Sequence, residues 1–192
     1  MKKDYKYFLI TIITLVFINP LFASHIEDHH EKSDSDVDPY IQLMLGQVAF
    51  MEGRITSLAE AIPEEKYSWR PSEGVRSTGE QLVHVLTAGY GISAMMGGVK
   101  PDHITQDIEK TLTGKKEILK NLKESFAAVT KFLKSYDTAN YQEIVKTPFG
   151  EFPQRVMILI INNHYHEHLG QLIVYARSNG VVPPWSVKEE DQ

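Results

Sequence analysis

The sequence contains no cysteine. Disulfide bonds, thiolate nucleophiles and cysteine-ligated metal centres are therefore excluded. A metal ion bound by this chain must be held by histidine, aspartate, glutamate or backbone oxygen. The chain is also short of positive charge, with 20 Lys and Arg against 25 Asp and Glu and a formal net charge of -5. A basic surface that binds nucleic acid is therefore not expected.

The N-terminus has the pattern of a secretory leader. Several lysines precede an apolar run over residues 8–18, and small residues at Ala23 and Ser24 offer a cleavage site. The run is shorter than the roughly 20 residues that a membrane span needs, so cleavage is favoured over an uncleaved anchor. We expect a signal peptide over residues 1–23 and an exported protein, periplasmic or extracellular, that keeps no membrane contact.

The remaining chain divides where its composition changes. Residues 24–38 are polar and acidic, which predicts a flexible lead-in. Its three histidines (His25, His29 and His30) could bind a metal ion weakly, although a solvated tail is the simpler interpretation. Residues 39–186 are predicted to form one domain, and residues 187–192 a short tail. Hydrophobic residues make up 42% of the chain and aromatic residues 10%, enough for a sizeable core.

Apolar residues recur at helical spacing in four long segments. We predict helices over about residues 38–61, 77–96, 111–135 and 153–178, with a loop over residues 97–111 between the second helix and the third. Ser77 and Glu80 have the spacing of a capping box at the start of the second helix. The connection over residues 137–152 is long for an antiparallel helix pair and could form a small hairpin or an extended crossover. The predicted fold class is all-α, a four-helix bundle with one long crossover.

Three histidines lie at alternate positions in the fourth predicted helix. His164 and His168 are four residues apart, so a helix places both on one face, beside the apolar stripe and next to Gln171. His166 points to the opposite side and is expected to be exposed. The spacing fits two metal ligands, but for a bare His-x-x-x-His two unrelated polar residues are the commoner interpretation.

A metal centre needs a third ligand, and His84 is the best candidate. It is the lone histidine of the second helix, off the main apolar stripe, where it is either exposed or facing a cleft. Glu80 and Gln171 are candidates for side chains that hydrogen-bond to the ligand histidines, although the cap already accounts for Glu80. Three imidazoles leave coordination positions open, which is typical of a catalytic site. Imidazole suits zinc, nickel or iron without choosing among them.

The order of these motifs resembles that of the DinB superfamily, the YfiT-like metal-binding bundles. The likeness spans about residues 39–186, and three parts carry it: Trp69-Arg70-Pro71 with Ser77–His84, then His164–Gln171, then Tyr175–Pro184. The resemblance implies an up-down-down-up four-helix bundle, often dimeric, with a divalent metal ion held by three histidines. His84, His164 and His168 match those positions, and His166 does not.

The resemblance also bears on function. Members of the superfamily include transferases and isomerases that use low-molecular-weight thiols, which are not obviously present outside the cytoplasm, where this chain is expected to act. If the protein is an enzyme, we expect a metal-dependent hydrolase or a thiol-type transferase that acts on a small molecule. No residue of the sequence stands out as a general base. The alternative is a non-catalytic metal-binding or interaction module that forms a homodimer. The apolar run Val156–Ile161 is wider than one bundle face requires, which favours a partner surface.

Overall fold

The computed structural model describes residues 37–187, so the leader and most of the acidic lead-in lie outside the described residues. The helices are α1 Pro39–Ala61, α2 Thr78–Ala94, α3 Ile108–Thr111, α4 Lys115–Lys134 and α5 Gln154–Ser178. Short 3₁₀ turns occupy Glu64–Lys66, Thr138–Gln142 and Pro184–Ser186. Within residues 37–187, no helix is both long and apolar enough to cross a membrane.

The four long helices pack as a bundle in which α1 and α2 lie diagonally opposite each other. Both α1 and α2 pack against α4 and against α5. The core comes from all four helices and includes Ile55, Leu82, Leu122 and Met157, each 0% exposed. The predicted all-α, up-down-down-up four-helix bundle is confirmed. Its topology sets α2 beside α5, the two helices that carry the histidines.

The crossover between α4 and α5 forms the hairpin that the sequence left open. Strands β1 Ile144–Thr147 and β2 Gly150–Pro153 pair antiparallel, with Val145 opposite Phe152. Gly150 has φ 143°, a backbone conformation that side chains with a Cβ rarely adopt. The hairpin and the preceding 3₁₀ turn make up the connection from the end of α4 to the start of α5.

The connection into α2 is fixed at both of its ends. Ser77 Oγ accepts a hydrogen bond from the Glu80 backbone N–H at 3.3 Å, and Glu80 Oε2 accepts one from the Ser77 backbone N–H at 2.6 Å. This is the predicted capping box. Trp69 packs edge-on against Tyr175 of α5, with ring centroids 5.5 Å apart. The start of α2 is thereby held against the end of α5.

The connection from α2 to α4 differs from the sequence prediction. Residues 97–111 were predicted to be a loop, but their last part forms α3, which buries Ile108 to 5% exposure. The helix predicted from residue 111 begins at Lys115, after Gly114 with φ 83°. A one-turn helix is too short to show a hydrophobic period, so the pattern did not separate it from the loop.

Candidate metal centre

Three histidines from two helices meet inside the bundle. His84 comes from α2, and His164 and His168 come from α5; one ring nitrogen of each lies within 4.8 Å of the others. The ring centroids are 5.0 Å apart for His84 and His164, 4.7 Å for His84 and His168, and 4.2 Å within α5. His168 is buried at 6% exposure, and the other two are half-buried. Imidazoles this close can share one metal ion.

A glycine allows α2 to lie this near to its neighbours. A Cβ atom on Gly89 would fall 2.5 Å from the hydroxyl of Tyr165 and 2.8 Å from Oγ of Ser125. Tyr165 follows His164 directly in α5 and is 1% exposed. The small residue on α2 therefore sets the separation at which His84 faces the two histidines of α5.

Glu109 of α3 fixes the protonation of His84. Its Oε1 lies 2.7 Å from His84 Nδ1, and its other oxygen accepts from Arg76 Nε at 2.8 Å. A carboxylate can only accept, so the hydrogen is on Nδ1 of His84 and Nε2 carries the lone pair. Burial acts to raise the pKa of Glu109, but the hydrogen bonds from Arg76 and His84 outweigh it and lower the pKa below its ordinary value. Glu109 is therefore an anion at neutral pH.

Two glutamines contact the outer nitrogen of His168. Gln171 Oε1 lies 2.8 Å from His168 Nδ1, and Gln81 Nε2 lies 2.6 Å from the same atom. An amide oxygen accepts and an amide nitrogen donates, so the two contacts require opposite tautomers of His168. The tautomer that leaves Nε2 free for a metal ion has Nδ1–H donating to Gln171. In that state the side-chain amide of Gln81 is flipped, so that its oxygen rather than its nitrogen lies toward Nδ1 of His168.

His164 carries the polar atom of the cluster that has no hydrogen-bond partner. Its Nε2 is buried and unbonded among the described residues. Burial, with smaller contributions from the positive forms of His168 and His84, lowers the pKa of His164 to about 3. Burial also lowers the pKa of His84, against the raising effect of Glu109. Both rings are therefore neutral at pH 7, the form in which imidazole binds metal.

These observations fit a divalent metal ion. A buried ring nitrogen without a partner costs free energy unless something binds its lone pair. The neighbouring nitrogens are close enough to share an ion with it, and two of the three rings are oriented by outer hydrogen bonds of the kind that accompany metal ligands. The donor set is three imidazoles, which suits zinc, nickel or iron.

The other predicted residues lie apart from the cluster or around it. His166 is exposed, and its Nδ1 lies 2.8 Å from the backbone oxygen of Asn162. Gln171 contacts His168, as described. Glu80 accepts from Ser77 and from Arg70, at 3.1 Å, and the carboxylate that contacts His84 is that of Glu109 instead.

Glu109 and Gln81 were not found from the sequence. Gln81 lies three residues before His84, on the same face of a helix, and that spacing is a usable signal. Glu109 lies in a segment predicted to be a loop, 25 residues from His84 along the chain. Its position depends on how α3 folds back over α2, which no local pattern in the sequence records.

An open cleft of about 770 Å³ lies at the end of the bundle where α2 begins and α5 ends. Gln81, Glu109 and Gln171 line part of it, and these are the side chains that contact His84 and His168. A molecule in the cleft would therefore lie against the partners of the histidines. Its volume is in the range of small-molecule sites.

Comparison with known proteins agrees with this architecture. The model of the DinB superfamily matches residues 47–172. No curated protein matches the sequence. A DinB-like protein from Bacillus cereus superimposes with a TM-score of 0.65 at 20% identity, covering 76% of this chain and 95% of its own. A DinB-like protein from Bacillus subtilis has a TM-score of 0.59 at 18% identity, covering 73% and 93%.

A further similar structure is YfiT from Bacillus subtilis, described as a probable metal-dependent hydrolase with an unusual four-helix bundle topology. It superimposes with a TM-score of 0.57 at 12% identity, covering 80% of this chain and 93% of YfiT. At such low identity the likeness of these structures establishes the fold.

Proposed function

The chain belongs to the DinB superfamily, and from that premise we propose that it is a metal-dependent hydrolase acting on a small molecule. In this proposal His84, His164 and His168 hold a divalent ion. The observation that carries it is the buried, unpartnered Nε2 of His164 beside two other imidazoles. The description of YfiT as a probable metal-dependent hydrolase supports the reaction type. The proposed setting is outside the cytoplasm, as the leader pattern indicates.

The protein's own residues prepare the three rings as ligands. Burial lowers the pKa values of His164 and His84, so both rings are uncharged at pH 7. Glu109 accepts a hydrogen bond from Nδ1 of His84, which leaves Nε2 of that ring for the ion. Gln171 does the same for His168 in the tautomer that carries its hydrogen on Nδ1. A divalent ion bound there would supply Lewis acidity toward a carbonyl group or a water molecule. The adjoining cleft supplies the volume for a substrate.

The proposed ligands are tested by metal content. Protein prepared without an affinity tag is incubated with Zn(II), dialysed and measured by elemental analysis. We expect about one equivalent in the wild type and in His166→Ala, and large losses in His84→Ala, His164→Ala and His168→Ala. A wild type that takes up neither Zn(II) nor Ni(II) would contradict the metal site. Equal loss in His166→Ala and His168→Ala would contradict the assignment of ligands.

The reaction type is tested on the metal-loaded protein. A panel of esters, amides and pairs of a thiol with an electrophile distinguishes hydrolysis from thiol transfer. We expect turnover of esters or amides that depends on added metal and is lost in His164→Ala. Turnover that requires a thiol would replace the hydrolase proposal with a transferase.

A second candidate function is a dimeric interaction module without catalysis. Exposed apolar side chains favour it: Leu43 and Phe50, two turns apart on α1, are 57% and 51% exposed. Leu159 of α5, within the apolar run singled out above, is 41% exposed. Light scattering of wild type and Phe50→Glu tests this candidate, with Val99→Glu, at a 77% exposed loop position, as the matched control. A dimer that only Phe50→Glu dissociates, in a protein without turnover, would favour the module.

A further inference from the structure

The cleft beside the histidines has a positively charged wall. Arg70, Arg76 and Lys110 contribute to its lining, together with Glu80 and Glu109. Three cations therefore face two anions, in a chain whose formal net charge is -5. A second cavity, of about 350 Å³, shares Arg70, Glu80, Glu109 and Lys110 with the cleft. The charged groups thus lie at the boundary between two spaces that a ligand could fill.

The two carboxylates are already engaged by the protein. Glu80 accepts from the Ser77 backbone at 2.6 Å and from Arg70 at 3.1 Å. Glu109 bridges His84 and Arg76, at 2.7 and 2.8 Å. Neither carboxylate pairs with Lys110, which is exposed and makes no ion pair within 4.0 Å among the described residues; Asp107, whose pKa Lys110 helps to lower, is not part of the cleft lining. The surplus positive charge of the cleft therefore centres on Lys110.

The arginines are held in place but keep hydrogen-bonding capacity. Arg76 uses Nε and Nη2 on Glu109, and Arg70 uses Nη1 on the Val75 carbonyl at 2.7 Å and Nη2 on Glu80. A guanidinium group has five N–H donors, so each arginine retains donors beyond these contacts. Because other bonds already orient the two side chains, an anion can bind without first ordering them.

We propose that this cleft binds a small-molecule carboxylate, whose acid group is held by Arg76 and Lys110 while the rest of the molecule lies toward the histidines. A planar guanidinium matches a carboxylate in shape, and the lysine adds a second charge. Val75 and Tyr175 give the cleft an apolar part for the hydrocarbon portion. The inference rests on the proposed function, since it names the substrate class of that site.

The test uses phenylacetate and its neutral analogue phenylacetamide, which differ at the acid group alone. Each is titrated into mature protein, both metal-free and zinc-loaded, and followed by NMR chemical shifts of the backbone amides. We expect phenylacetate to bind about tenfold or more tightly than phenylacetamide in both forms, because hydrogen bonds to charged groups are among the stronger ones. Arg76→Gln and Lys110→Gln should each remove most of that preference.

Lys131→Gln is the matched control, because this exposed lysine of α4 is not among the residues that line the cleft and its substitution makes the same change in charge. It should leave the preference intact. Equal binding of acid and amide would overturn the proposal, as would a preference that survives in both cleft variants. Binding of phenylphosphonate without binding of phenylacetate would overturn the assignment to carboxylates.

Metal content, measured on the same samples, separates the two hypotheses. Protein that binds zinc but does not prefer phenylacetate overturns the carboxylate cleft and leaves the proposed function standing. Protein that prefers phenylacetate but takes up neither Zn(II) nor Ni(II) overturns the proposed function. Binding that requires zinc and is insensitive to Arg76→Gln and Lys110→Gln places the acid on the metal ion and contradicts the cleft.

Discussion

At the scale of single residues, the site consists of ligands and of the groups that orient them. The ligands could be predicted from the sequence, starting from His164 and His168, because histidines four residues apart on a helix share a face. The sequence could not supply Glu109, whose contact with His84 links α3 to α2. Glu109 excludes one tautomer of His84 and is itself held by Arg76. The tautomer in which His84 can bind a metal ion therefore depends on Glu109, a residue that is not itself a ligand.

Glu109→Gln should weaken metal binding without abolishing it. The amide can present its nitrogen to His84 Nδ1 and so stabilise the wrong tautomer, and losses of outer partners of this kind cost roughly 10–100-fold in affinity. Competition with a chromogenic zinc chelator measures the change.

Glu80→Gln is the matched control for that experiment. It makes the same chemical change one turn before His84, at a carboxylate that bonds to Ser77 and Arg70. Its zinc affinity should stay within about twofold of wild type, because a cap acts on helix stability. A similar loss in both variants would show that the effect comes from general loosening of α2.

At the scale of elements, the approach of α2 to α4 and α5 decides whether the histidines meet. Gly89 is a point of close approach, because Tyr165 and Ser125 lie where a Cβ would point. Periodicity showed that this segment is helical and left open whether His84 is exposed or faces a cleft. Packing resolved that question, because the depth at which a helix docks depends on side chains of other helices.

Gly89→Ala should destabilise the protein by about 1–3 kcal/mol, as overpacking of a filled core does. The added methyl group would lie 2.5 Å from the Tyr165 hydroxyl, whose ring is fully buried and cannot move aside freely. Chemical denaturation measures the free energy of unfolding. Zinc affinity should fall as well, since α2 must shift away from α5.

Gly91→Ala provides the control in the same helix. A Cβ there meets nothing within 4 Å, so the variant should gain roughly 0.5–1 kcal/mol from helix propensity. Opposite signs at the two glycines would support the packing argument. Destabilisation of equal size at both would contradict it.

The N-terminus of α1 should respond to acid through Asp38. Its carboxylate accepts from the Tyr141 hydroxyl at 2.6 Å and from the backbone N–H groups of Tyr40 and Ile41. The Tyr141 hydrogen bond, followed by those of the cap, lowers the pKa of Asp38 below its ordinary value. The folded state then binds fewer protons than the unfolded state, so this stabilisation is complete above about pH 4 and is lost as the pH falls below it.

Asp38→Asn should therefore reduce the loss of stability between pH 5 and pH 3. Asparagine still caps a helix, so the variant removes the titrating charge more than the cap. Urea denaturation across that range compares it with wild type and with Asp102→Asn, an exposed aspartate in the connection after α2. An acid-induced loss that is unchanged in Asp38→Asn would contradict the assigned role of this carboxylate.

At the scale of the whole molecule, the leader prediction concerns residues that the structure does not describe. Mass spectrometry of the protein expressed with its full sequence should show a mature chain beginning at Ser24 and recovered outside the cytoplasm. A chain that retains residues 1–23 and sediments with membranes would instead support an uncleaved anchor.

Much of the molecule could be predicted from its sequence, and the limits have physical causes. Long amphipathic helices such as α4 identify themselves by period, and the capping box at Ser77 marks a boundary. The one-turn α3 has too few residues to show a period. His84 was the best third ligand because it is the lone histidine of its helix, and the family resemblance then matched it with His164 and His168; spacing alone does not relate distant segments. The Gln81 contact with His168 joins residues 87 positions apart.

That separation has a consequence for folding. No short fragment of the chain contains the three histidines, so the ion should bind the native bundle far more tightly than the unfolded chain. Zinc would then raise the free energy of unfolding, by about 2.7 kcal/mol when its free concentration is 100 times the dissociation constant. It would also suppress hydrogen exchange most in α2 and α5. The metal ion would therefore bind late in folding, after the helices have packed, and would then link α2 to α5.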